Sequence, residues 1–130
     1  MDNIDDLEKL CQKIIALDPK MRSARLINSR GHLTSGGMKD GMLSLESQKQ
    51  DEMMFMELAL RVRMRHEFDG EFGKVHFSMS YRDKVIVMSF PLNGDDVLLL
   101  SCEKDIDFGK LPFKVLKLIE SLKKSPMKTF

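Results

Sequence analysis

The chain has no tryptophan, a single tyrosine and two cysteines. Cys11 and Cys102 lie far apart and form no CxxC pair, so neither a disulfide framework nor a zinc site is indicated. Long apolar runs are missing as well: none approaches the roughly 18 residues that a membrane-spanning helix needs. The start, MDNIDDLEKL, is acidic and lacks the basic end and apolar centre of a signal peptide, so a cytoplasmic location is expected. Charge of one sign is scarce too. Lys and Arg number 21 against 20 Asp and Glu, a net charge of +1, which gives no electrostatic case for nucleic acid. No repeat of solenoid period and no low-complexity linker interrupts the chain.

What remains is material for one domain. The 130 residues, 42% hydrophobic and 32% charged, fit one soluble globular unit. Folding at that length buries about two-thirds of the unfolded chain's surface, enough for a core without staples. The domain is expected over residues 1–124, with a frayed tail at 125–130. Methionine is in surplus, at 11.

Periodicity places the elements. Ile4, Leu7, Leu10, Cys11, Ile14 and Leu17 recur at helical steps, predicting a helix over Asn3–Leu17 with Asn3 as N-cap and Asp18-Pro19 as its stop. Ser23–Asn28 and His32–Ser35 read as a hairpin across Ser29-Arg30-Gly31, ended by Gly36-Gly37. After a loop over Met38–Leu45, a long helix is expected from about Ser44 or Glu46 to Phe68, closed by Asp69-Gly70 and Gly73. It carries two apolar rows: Met53, Met56, Leu60, Met64, and Phe55, Leu58 or Ala59, Val62. Together they exceed the single stripe that one sheet face can bury.

Three strands follow. Lys74–Tyr81 alternates, with Val75, Phe77, Met79 and Tyr81 on one side and His76, Ser78 and Ser80 on the other, as a half-exposed edge strand does. Lys84–Leu92 and Val97–Cys102 are apolar on both faces and should lie centrally, joined by the hairpin signal Asn93-Gly94. A last helix begins at Asp107 or Leu111 and ends at Lys124, with Leu111, Val115, Leu118 or Ile119 and Leu122 inward and Pro112 in its first turn.

This order of elements, α-β-β-α-β-β-β-α, resembles the roadblock/LC7 family, a variant of the profilin-like fold. The hairpin ARLINSRGHLTSGG is similar to that family's first hairpin, and the helix MELALRVRMRHEFD also resembles one in an uncharacterised group of small archaeal proteins. The resemblance implies an α+β domain whose five-stranded antiparallel sheet carries the middle helix on one face and the terminal helices on the other. It implies a homodimer, or a pair with a related roadblock-like chain, made through the middle helix and the neighbouring edge strand. The dimer interface would then use Met53, Met54, Phe55, Met56 and Leu60 with His76, Ser78 and Ser80. Many members dock small Ras-like GTPases as scaffolds or regulators. The family has no catalytic signature, so no enzyme activity and no cofactor is expected.

The remaining motifs have plain readings. Met56 and Met64 are expected in the core, and Met53 and Met54 at a seam or partly exposed, where flexible thioethers suit adaptable contacts. Arg61, Arg63 and Arg65 spread around a helix and read as solvated ion pairs with Glu57, Glu67 and Asp69; the functional alternative is an acidic partner surface. The Gly36–Gly41 segment lacks the spacing of a phosphate loop and reads as a mobile connection. His32, His66 and His76 fall in three elements without ligand spacing, so no metal site is expected. Asp95-Asp96, Asp105 and Asp107 belong to turns and a helix cap, and both cysteines should be inert. A PAS- or GAF-like sensory domain is the alternative class; it would need a pocket lined by small residues and convergent polar groups, whereas these strands are rich in bulky side chains.

Overall fold

A computed structural model describes residues 4–123; the expected cap Asn3, the end of the last helix at Lys124 and the tail lie outside the described residues. Helix α1 spans Ile4–Ile15, strand β1 Met21–Ile27 and strand β2 Leu33–Met38. Helix α2 runs over Gln48–Arg65 and continues through a 3-10 turn, His66–Phe68, into the short helix α3, Asp69–Phe72. Strands β3 (Ser78–Tyr81), β4 (Ile86–Pro91) and β5 (Val97–Cys102) precede helix α4, Leu111–Lys123. The five strands form one antiparallel sheet in the order β2-β1-β5-β4-β3. The expected α+β architecture is thus present, with β5 at the centre and β3 at an edge.

Strand alternation divides the core in two. Ala24 and Leu26 of β1, Ile86, Met88 and Phe90 of β4, and Leu98, Leu100 and Cys102 of β5 face α1 and α4, forming one large cluster with Leu10, Ile14, Val115 and Ile119. The opposite face is thinner: Ile27, Val97 and Leu99 meet Phe55, Leu58 and Val62 of α2. The intervening positions on that face, Ser23, Arg25, Ser89 and Ser101, are polar. The two central strands are therefore not apolar on both sides throughout, as the sequence suggested.

Several boundaries differ from expectation. β2 passes through Gly36-Gly37 instead of stopping there, because Gly36 is a strand residue under close contact. A Cβ on it would lie 2.1 Å from the Ala24 carbonyl oxygen and 2.8 Å from Cys11 Sγ. Its N–H donates to Glu8 Oε1 at 2.8 Å. α2 starts at a capping box: the Gln50 N–H donates to Ser47 Oγ at 3.1 Å, and the Ser47 N–H to Gln50 Oε1 at 2.9 Å. The helical path ends at Gly73, with φ +80°, and not at Asp69-Gly70. The Asn93-Gly94 signal does join β4 to β5, but the positive φ angles fall on Gly94 and Asp95, one position later than a tight two-residue turn would place them.

Candidate interaction surface

On α2, Phe55, Leu58, Ala59 and Val62 are buried against the sheet. The second apolar row is exposed: Met53 by 65%, Met56 by 51%, Leu60 by 53% and Met64 by 68%. This corrects the core assignment of Met56 and Met64. It also removes Phe55 from the expected dimer interface, since its ring, 6% exposed, is spent on its own sheet and lies under the Arg25 guanidinium at 5.6 Å. Met56 packs sideways on the β1–β2 turn, where Gly31, with φ +81°, leaves room for its backbone. Phe68 and Phe72 beyond the helix are exposed and stack on each other at 5.9 Å.

Between α2 and the β3 edge runs an open groove of about 870 Å³. Met54, Glu57 and Arg61 form its helical wall, and Ser78, Ser80, Ser89 and Ser101 line its sheet side. Ser23 and Ser101 hydroxyls bond each other across β1 and β5. Arg61 pairs with Glu57 one turn away, as the i,i+4 spacing predicted. The other arginines are not brought to it. Arg63 is exposed, and Arg65 is half-buried beside a second hollow of about 410 Å³. Burial and the neighbouring Arg61 charge lower the Arg65 pKa.

His76 lies outside β3 and lines this second hollow with His66 and Asp95, so it does not join Ser78 and Ser80. His66 bridges two acids, Nδ1 to Asp69 Oδ2 at 2.9 Å and Nε2 to Asp95 Oδ1 at 2.8 Å, and these hydrogen bonds raise its pKa. They pin the end of α2 to the β4–β5 turn. Asp69, expected opposite Arg65, serves His66 instead.

The start of α2 is pinned by a residue that sequence reasoning missed. Arg25 on β1 is buried, and its guanidinium reaches Asp51 Oδ1 at 3.2 Å, Glu46 Oε2 at 3.3 Å and Ser44 Oγ at 3.4 Å. Burial and the hydrogen bond with Glu46 push Asp51 up to about 6, against the pull of Arg25. Burial also works to raise Glu46, but its bonds to Asp51 and Arg25 outweigh that and hold it below the usual range. The two carboxyls thus face one cation, and of the two it is Asp51 that takes up a proton more readily. The polar residues Ser23 and Arg25 at alternate positions of a buried strand were the available signal.

On the other face of β3, Phe113 packs edge-on against Phe77 at 5.6 Å and Phe108 against Tyr81 at 5.7 Å. Both cysteines are buried, and burial raises Cys11 to about 12 and Cys102 to about 11. No group of three or more metal-ligating side chains occurs among the described residues. None of their helices is long and apolar enough to cross a membrane.

The fold is that of the roadblock/LC7 domains. A roadblock/LC7 domain from Streptomyces avermitilis superposes with a TM-score of 0.66 at 14% identity, covering 89% of this chain and 93% of that one. The gliding protein MglB from Thermus thermophilus gives 0.71 at 8% identity, over 91% and 88% of the two chains. MglB from Myxococcus xanthus gives 0.63 at 13%, over 93% and 100%. The chain belongs to the family of unknown function DUF6659, whose model matches residues 1–129. A comparison with curated proteins finds no match.

Proposed function

We propose that the chain is a non-enzymatic, self-associating protein-interaction module that works in the cytoplasm. The observation that carries this reading is the unsaturated side of the sheet: β3 is an edge strand, and the groove between it and α2 stands open. An uncovered edge is a template for another strand. The roadblock/LC7 likeness supports a pair formed there, as a homodimer or with a related roadblock-like chain. It also supports a small Ras-like GTPase as the client, held or regulated by the pair. Arg61 in the groove supplies a cation for an acidic partner surface, and Arg63 stands exposed on another side of the helix.

Light scattering tests the self-association. The purified chain should show at least twice its 15.0 kDa mass, and lysines in place of Ser78 and Ser80 should lower that mass by charging the edge. A single-chain mass at every concentration refutes the proposal. The groove also favours a second reading, a sensory domain holding a small ligand, because its serines provide the small residues and polar groups such a pocket needs. A small molecule retained in native mass spectrometry would favour that reading.

A further inference from the structure

His66 stands where the helical path of α2 turns towards α3, and both of its ring nitrogens are engaged. Nδ1 lies 2.9 Å from Asp69 Oδ2, and Nε2 lies 2.8 Å from Asp95 Oδ1. An ionised carboxylate only accepts hydrogen bonds, and a neutral imidazole has one N–H to donate. Only the imidazolium can therefore make both bonds at once. The two partners are attached differently. Asp69 is three residues on along the same helical path, whereas Asp95 belongs to the β4–β5 turn, 29 residues away.

We propose that His66 is a proton-operated latch between the far end of α2 and the β4–β5 turn, closed while the ring carries both protons and opened on the Asp95 side when it loses one. The neutral ring keeps its proton on Nδ1, because Asp69 stays within reach whatever the turn does. Nε2 then turns a lone pair on the Asp95 carboxylate, and two acceptors 2.8 Å apart repel. Asp95 also holds a φ of +66°, in the left-handed region that residues with a Cβ seldom occupy. The turn is thus free to relax once its tether goes. The latch lies within one chain and does not depend on whether copies pair.

The surrounding charges set the direction. Arg65 of α2 and Lys74 and His76 of the segment before β3 face the hollow beside the ring, and their positive charge works against the imidazolium. On its own helical path, Arg63 and Glu67 bring one charge of each sign. Asp96, next on the turn, is directed to the Ser29 backbone. Asp69 and Asp95 outweigh the cations through direct hydrogen bonds, which raise the His66 pKa. A raised imidazole holds its contribution in full below its ordinary value of about 6.5 and loses it as pH rises through the raised one. The latch is closed in mild acid and open in mild base.

Nitrogen-15 NMR of the His66 ring, paired with amide hydrogen exchange, tests this between about pH 5.5 and about pH 8.5. The ring should titrate above about 6.5, and its neutral form should be the Nδ1–H tautomer. The Leu92 and Asp96 amides, which donate within the turn, report on the latch. Their protection, corrected for intrinsic exchange, should fall about two- to fivefold as the ring loses its proton. The side-chain amide of Asp95→Asn can accept from the imidazolium or donate to the neutral ring. That variant should therefore lower the ring's midpoint and keep the turn protected across the whole range. A neutral Nε2–H tautomer overturns the proposal, as does a midpoint at or below about 6.5. So does wild-type protection that stays flat while the ring titrates, or a pH dependence that survives in Asp95→Asn.

Discussion

Replacing Gly36 by alanine should destabilise the domain severely, while the same change at Gly37 should do little. Gly36 sits in β2 at φ +85°, where a side chain is strained by about 1–3 kcal/mol. Its new Cβ would also lie 2.1 Å from the carbonyl oxygen of Ala24 and 2.8 Å from Cys11 Sγ. The first contact is backbone of the paired strand, which no rotamer change relieves. Overpacking of this kind costs about 1–3 kcal/mol more, so the sum is roughly 2–6 kcal/mol of a total that is typically about 5–15. At roughly 4 °C per kcal/mol for a domain of this size, Tm should drop by about 8–24 °C. Gly37 has a free Cβ direction and no positive φ, so Gly37→Ala is the internal control. Differential scanning calorimetry of the three proteins decides the matter. A Gly36→Ala midpoint within about 2 °C of wild type, or an equal loss at Gly37, would show that β2 does not pass α1 as closely as described.

Two further outcomes separate the faces of α2 and the state of its first turn. Met53→Asp should fold with an unchanged far-ultraviolet spectrum, whereas Phe55→Asp, which buries a charge against Ile27 and Leu99, should cost more than about 3 kcal/mol and populate unfolded chain in urea titrations. Asp51, raised to about 6, makes the native state bind more protons than the unfolded chain between about pH 4 and 6, so its contribution to stability is present below that window and is lost as pH rises through it. Glu46, lowered, acts in reverse and loses its contribution as pH falls below the usual carboxylate range. Asp51→Asn should therefore flatten the decline in urea midpoint between about pH 4.5 and about pH 7; an unchanged slope would mean that the proton released in this range is not held by Asp51.

Much of this fold was legible because the dominant signals are local periodicities. The β5 run Val97–Cys102 had to be central, and the two rows of α2 were visible as rows. That they exceed one sheet face was legible, and Met53 was expected at a seam or partly exposed; Met56 and Met64 were read as core, since a row of Met and Leu reads alike whether it faces a sheet or water. Gly36-Gly37 was read as the end of the strand and the start of a mobile connection, because glycine reads first as a strand breaker; here Gly36 continues β2 with both a positive φ and no room for a Cβ beside the Ala24 carbonyl. Ser89 and Ser101 were passed over inside apolar strands, although their parity put both on the face that α2 leaves bare. His76 was joined to Ser78 and Ser80 by alternation, but β3 begins only at Ser78.

These misreadings converge on how α2 is held. The α1–α4 side of the sheet carries the large core, while α2 commits only Phe55, Leu58, Ala59 and Val62 to its own side. At about 1.5–3 kcal/mol for each large buried side chain, that contact alone fixes an 18-residue helix only modestly. The position of α2 is set instead at its ends. Arg25 holds Glu46 and Asp51 at its start, and Asp95 holds His66 at its finish. Polar pins at both ends settle where the helix lies without using its outer surface, so Met53, Met56, Leu60 and Met64 stay available to a second chain. A helix fixed by packing alone would need a broader apolar contact with the sheet and would have less of that surface to offer.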